Sequence, residues 1–115
     1  MINLPWPPKQ LSPNARQHWS TKAKWTKIYR TIAWATARAT DWRPHFYDSK
    51  AVIDIIFHPP DRRHRDDDNM IGLFKAYRDG LADAWQINDR LFSPHYRIGE
   101  PVKGGCIIVT DRGGQ

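Results

Sequence analysis

The sequence predicts a small α+β domain in which a mixed β-sheet carries two helices on one face. Three observations lead there. Two stretches with helical periodicity alternate with short β-branched runs, in the order strand, helix, strand, helix, strand, strand. Proline and glycine punctuate the junctions. The length, 115 residues, suits one modest core, so residues 1–115 are expected to form a single domain.

Ile2 to Leu4 reads as the first strand, stopped by Pro5-Trp6-Pro7-Pro8 because proline supplies no ladder donor and restricts its predecessor. A loop through Ser12-Pro13-Asn14 leads to a helix from about Ser20 to Thr40. Trp25, Ile28, Ile32 and Ala35 recur there at three- and four-residue intervals as one buried stripe, and Lys22, Lys24, Lys27, Arg30 and Arg38 occupy the other faces. Asp41 to Ser49 reads as loop. Ala51 to Phe57 is a nearly continuous apolar run, of the kind found in a central strand buried on both faces, and Pro59-Pro60 ends it. The second helix is expected from about Asn69 to Ala84, with Met70, Leu73, Phe74, Tyr77 and Leu81 on one stripe and Asp68 or Asn69 as its cap. Gln86 to Asp89 forms a turn, Leu91 to Ile98 a strand whose Pro94 marks an edge or a bulge, and Cys106 to Thr110 the last strand after Gly104-Gly105. Asp111 to Gln115 is expected to fray.

Eighteen Lys and Arg against twelve Asp and Glu give a formal charge of +6, so polyanions are the natural partners. Cys106 is the single cysteine, which excludes an intrachain disulfide and a CxxC zinc or redox site. His45, His58 and His95 have no metal-ligand spacing. The opening residues lack the basic and apolar segments of a secretory signal, and no apolar run spans a bilayer. A cytoplasmic protein without a membrane or nucleotide-cofactor role is expected. Most of the six tryptophans are assigned to packing, with stacking on bases as the alternative.

The stretch richest in chemistry is Arg62-Arg63-His64-Arg65-Asp66-Asp67-Asp68-Asn69, which follows the central strand. Asp66 and Asp68 are two apart, so in extended chain both carboxylates point the same way, and a divalent cation relieves their repulsion. Guanidinium groups beside them suit the phosphodiester that such a cation activates. Lys75 lies seven residues after Asp68, only about 20° short of two helical turns, and so shares its face. Asp89 is expected to return to the same site as the chain runs back along the sheet. A solvated turn of self-neutralising charges, a surface lysine and an Asx turn at Asn88 are the alternatives.

These residues resemble the RusA-type Holliday junction resolvases, small endonucleases of bacteria and their phages. The resemblance begins at Leu4-Pro5-Trp6-Pro7-Pro8 and Leu11-Ser12-Pro13-Asn14-Ala15-Arg16, with His18-Trp19 behind. It peaks at Pro60 to Asn69, continues through Lys75 and Asp79-Gly80-Leu81, and closes at Asn88-Asp89. It implies a RusA-like fold and a homodimer that binds four-way DNA junctions and cuts opposed strands symmetrically with Mg²⁺ or Mn²⁺. Asp66, Asp68 and Asp89 match the metal-binding aspartates, and Lys75 the catalytic lysine. Arg62, Arg63 and Arg65, with Arg16 and His18, are assigned to DNA. Two positions depart from the pattern: Gly72 stands where shorter members have the lysine, and Asn88 where many have an aspartate. A less selective branched-DNA nuclease of phage type and a non-catalytic basic DNA-binding module are the competing functions.

Overall fold

Strand β3 (Lys50–His58) organises the chain, and its alternation shows how. Ala51, Ile53, Ile55 and Phe57 are at most 1% exposed, whereas Val52, Asp54, Ile56 and His58 are half-buried. The strand predicted to be buried on both faces is therefore buried on one. Both helices lie on the side of the odd-numbered residues, and no second layer of described residues covers the other side. The structure is a computed structural model that describes residues 1–13, 15–16 and 18–111. Asn14, assigned above to a loop, lies outside them, as do residues 112–115 of the tail expected to fray.

Around β3 the described chain forms a single α+β domain with a mixed sheet, as predicted. Strand β4 (Phe92–Ile98) runs parallel to β3 from Ala51↔Phe92 to Phe57↔Ile98. Strand β5 (Cys106–Thr110) pairs antiparallel with the second half of β3 and with β1 (Ile2–Pro5). A two-residue strand β2 (Phe46–Tyr47) pairs with the start of β3. Since Ala51 to Phe57 pair with β4 on one edge, β5 and β2 divide the other. The segment read as loop thus contains a hairpin, closed by Asp48 and Ser49 at φ 51° and 67°. Pro94 sits in β4, which pairs with β3 alone, and its outer edge can tolerate a missing donor.

Helix α1 (Trp19–Ala39) and helix α2 (Asp67–Trp85) cross closely over the sheet. A Cβ on Gly80 would stand 2.1 Å from the Arg30 carbonyl oxygen and 3.0 Å from Ala33 Cβ. That approach sets which face of α1 turns inward. Small Ala33 and Ala37 are buried, with Trp25, Tyr29 and Ile32 packed beside them, whereas Ile28 and Ala35 are exposed. The predicted stripe is correct at Trp25 and Ile32 and rotated at the other two positions. Gly80→Ala should destabilise the protein by about 3 kcal/mol, because backbone cannot yield as a side-chain tip does. Urea melts of the two proteins read this directly, and an unchanged midpoint would mean the helices can separate freely.

Helix α2 matches its predicted stripe: Met70, Leu73, Phe74, Tyr77 and Leu81 are all buried. Its cap is Asp66 rather than Asp68 or Asn69, with an extended backbone (φ −75°, ψ 139°) and no side-chain capping bond. Of the tryptophans, only Trp85 is buried; Trp6, Trp25 and Trp42 are half-buried, and Trp19 and Trp34 are exposed. Asp111, expected to fray, is 2% exposed and accepts the His45 backbone N–H at 2.9 Å and the His45 ring. It docks the end of β5 against the β2 hairpin. No helix among the described residues is long and apolar enough to cross a membrane.

Candidate nucleic-acid and metal site

The C-terminal end of β3, the start of α2 and the proline-bounded segment after β1 meet at one end of the molecule. An aromatic cluster lies beneath them: Phe57 stacks on Tyr96 at 6.1 Å and meets Phe74 and Trp6 edge-on at 6.3 and 6.4 Å. The Tyr77 hydroxyl donates to the Pro5 carbonyl at 2.6 Å and so ties β1 to α2. Burial, reinforced by Tyr29, pushes that hydroxyl far above its ordinary pKa, which keeps it a donor.

Asp61, a residue that charge patterning overlooked, orders the basic loop. Its carboxylate accepts the Arg63 backbone N–H at 2.9 Å, meets the Arg63 guanidinium at 3.3 Å and pairs with Arg65 at 3.0 Å. The first of these bonds, followed by Arg65, holds its pKa below the usual carboxylate range. Because the value is lowered on folding, the stabilisation is present above the ordinary carboxylate pKa and is lost as pH falls through the lowered one. The Asp61-x-Arg63 spacing of an Asx turn was the signal that could have found it.

The three loop arginines divide into two kinds. Arg62 and Arg63 have side chains 82% and 79% exposed, Arg62 lying 3.7 Å from Glu100 and Arg63 held by Asp61, so both guanidinium groups are within reach of a phosphate from solvent. Arg65 is 17% exposed, bonded to the Asp61 and Arg63 carbonyls, with its guanidinium 5.7 Å from the centre of the Trp6 ring. It holds the loop's shape. Arg62→Ala is therefore expected to reduce the slope of log K against log salt for DNA binding by about 0.9, one phosphate's worth. Arg65→Ala should instead lower thermal stability. Fluorescence anisotropy across a salt series, beside thermal melts, separates the two, and equal slopes for Arg62→Ala and the parent chain would remove Arg62 from the interface.

The three aspartates fan out around the first turn of α2. Asp66 stands at the extended cap and Asp67 and Asp68 are already helical, so the strand-like alternation expected to align Asp66 with Asp68 stops before it begins. Asp66 faces a cleft, Asp67 a second hollow beside Tyr96 and Arg97, and Asp68 is exposed. Acidic groups at this turn are favoured by the helix dipole whatever else they do. Lys75 is exposed two turns further along. Gly72 faces the N-terminal loop: a Cβ there would lie 2.2 Å from Pro13 Cγ. Pro13 occupies the room that a lysine at this position would need.

Asp89 does not join them. It follows α2, whose 19 residues span roughly 27 Å, and lies beside Asp79 and Asp83 at the other end of the helix. The parallel register explains this. The chain must return to Phe92, the partner of Ala51, before β4 begins, so the segment after α2 lands at the N-terminal end of β3. There Arg78 donates to the Asp89 carbonyl at 3.1 Å and approaches its carboxylate at 3.9 Å. Asn88 makes the ordinary Asx turn, accepting from the Arg90 N–H at 3.1 Å. Among the described residues of one chain, no three His, Cys, Asp or Glu side chains gather to hold a metal.

His18 caps α1 by accepting the Ser20 N–H at 3.2 Å, and neither it nor Arg16 lines the cleft beside Asp66. That cleft, of about 590 Å³, brings Trp6, Lys9, Arg63, Arg65 and Asp66 around a floor that includes Met70 and Leu73. Lys9 had no sequence signal. No family model matches the chain. It is 44% identical over 115 residues to an uncharacterized protein of Xylella fastidiosa (strain Temecula1), an alignment that takes in 97% of this chain and 75% of that protein.

Proposed function

We propose that this chain, which belongs to the same family as that Xylella fastidiosa protein, is a cytoplasmic metal-dependent endodeoxyribonuclease that resolves four-way DNA junctions. The RusA-type resemblance motivates the reading. The observation that best supports it is the exposed guanidinium pair of Arg62 and Arg63 set directly before the carboxylates of Asp66 and Asp68, at one end of a chain with net charge +6. Such a surface attracts the DNA backbone, and a cation on the carboxylates would lift the repulsion they set against phosphate.

Oxygen donors of this kind suit Mg²⁺ or Mn²⁺, which take one or two carboxylates together with substrate phosphate. Asp66 and Asp68 fan apart, so their exposed side chains would have to turn toward one another to hold the ion, which when bound would supply charge neutralisation at the phosphate and activation of water. Arg62 and Arg63 grip phosphates flanking the scissile one, and Asp61 keeps Arg63 and Arg65 in place for that contact. Lys75 meets the charge that grows on the phosphorus oxygens and the leaving oxygen. Hydrolysis proceeds by direct attack of water, without a covalent enzyme intermediate.

Asp89 fits this reading only in a homodimer. A two-fold axis crossing the sheet at right angles to β3 sets the C-terminal end of one β3 beside the N-terminal end of the other. Asp89 of one copy then stands at Asp66 and Asp68 of its partner. The outer edge of β4 and the open face of the sheet, with Val52, Ile56 and Ile108, are the surfaces suited to such contact. Each dimer would carry two composite sites, matching the near two-fold symmetry of a junction.

The test is cleavage of a labelled four-way junction beside a matched linear duplex, with Mg²⁺ and with chelator. Paired, symmetric, metal-dependent nicks in the junction alone are expected. Cuts in every branched substrate would favour the less selective nuclease, and tight binding without cleavage the DNA-binding module.

A further inference from the structure

We propose that the cleft between Trp6 and the start of α2 holds a single nucleobase turned out of the DNA stack, with its phosphate at Lys9 and Arg63. The inference rests on the nuclease reading and adds to it a subsite that reads one unstacked nucleotide. Two planar groups border the cleft, the Trp6 indole and the Arg65 guanidinium, and these are the surfaces on which bases stack. Met70 and Leu73 make its floor apolar, while Lys9 and Arg63 place positive charge on the rim. An apolar slot with a cationic rim suits a nucleotide, whose base is flat and whose phosphate is anionic. The volume, about 590 Å³, accommodates one with room to spare.

Trp6 is mounted as a rigid platform. Pro5 and Pro7 bracket it, and the Tyr77 hydroxyl fixes the Pro5 carbonyl. Its ring meets the edge of Phe57, and the Gly105 turn (φ 71°) passes so close that a Cβ there would lie 2.9 Å from Trp6 Cβ. Trp6 packs against the core, lies under the Arg65 guanidinium and stays half-buried where it lines the cleft. Fixing a stacking surface in advance lowers the entropy lost on binding. A base at the crossover of a junction opened out in the absence of divalent cation lacks a stacking neighbour on one side, which lowers the cost of turning it out.

Abasic scanning of the junction, read by fluorescence anisotropy with chelator present so that nothing is cut, tests this with the full chain. Removing the base at one position per two-fold-related strand should weaken binding of the unaltered protein about tenfold, and other positions should change little. Trp6→Leu should lose about tenfold on the intact junction and lose nothing more at that abasic position, whereas Trp6→Phe should keep most of the affinity. A flat scan with the unaltered protein overturns the subsite even if Trp6→Leu fails to fold. Additive losses from Trp6→Leu and the missing base overturn it as well. A chain that binds no branched DNA at all would overturn the nuclease reading first, an outcome distinct from tight binding with a flat scan.

Discussion

Asp68→Asn should abolish junction cleavage, by about a thousandfold or more, some 4 kcal/mol in the barrier, while leaving junction binding intact. The reasoning separates two roles for one carboxylate. As a cation ligand, Asp68 is indispensable to hydrolysis. As a bare charge on a surface that meets DNA it repels phosphate, so in chelator the asparagine variant should bind the junction as well as the parent or somewhat more tightly. Structure makes little demand on it: Asp68 is exposed on the first turn of α2, where losing a favourable dipole interaction costs about 0.3–1 kcal/mol. A small fall in melting temperature should accompany the loss of cleavage. Junction cleavage and anisotropy on the same preparation decide the matter. A variant that loses folding and binding together would make Asp68 a structural residue, and one that still cuts would end its role as a ligand.

How much of this was legible in the sequence depends on whether the determining interaction was local. The stripe of α2 was read correctly because every one of its five apolar positions packs where the period puts it. Strand β5 was found to its ends, since a turn of two glycines precedes a β-branched run. The stripe of α1 was partly misread, because its orientation is set by a close crossing at Gly80, fifty residues from Arg30. The β2 hairpin escaped because Asp48-Ser49 adopts left-handed backbone where Asn-Gly or Asp-Gly would announce the turn.

The site divides in the same way. The basic loop and its aspartates were plain, being contiguous. The side-chain direction of Asp66 and Asp68 was not, because helix α2 starts at Asp67, two residues before the expected start, and ends the extended geometry there. Lys9 and Trp6 reach Asp66 only through the packing of β1 and the segment after it, which no local spacing encodes. Gly72 reads as a missing lysine in the sequence; in the fold it is the place where Pro13 rests. The position of Asp89 followed from the parallel pairing of β3 with β4, which a single chain's spacing does not specify.

An equal mixture of Asp68→Asn and Asp89→Asn chains, allowed to exchange subunits, should regain cleavage that neither variant has alone. If each site takes Asp66 and Asp68 from one copy and Asp89 from the other, a mixed dimer has one site with both substitutions and one with neither. Random exchange makes half the dimers mixed, so about a quarter of all sites are intact. Because each mixed dimer cuts only one strand, the regained product should be nicked junction, with paired resolution remaining low. The pairing of Asp66→Asn with Asp68→Asn is the control, since both substitutions fall on the same half of every site and no mixed dimer is whole. Were all three aspartates to act within one chain, neither mixture would cut, yet that arrangement requires Asp89 to leave its place beside Arg78, ten helical steps and so about 15 Å along α2 from Asp68. Restoration in the first mixture and silence in the second would therefore place the third carboxylate on the partner subunit; silence in both, with each parent variant folded and dimeric, would overturn the shared site, and an Asp89→Asn chain that still cuts by itself would remove Asp89 from the site.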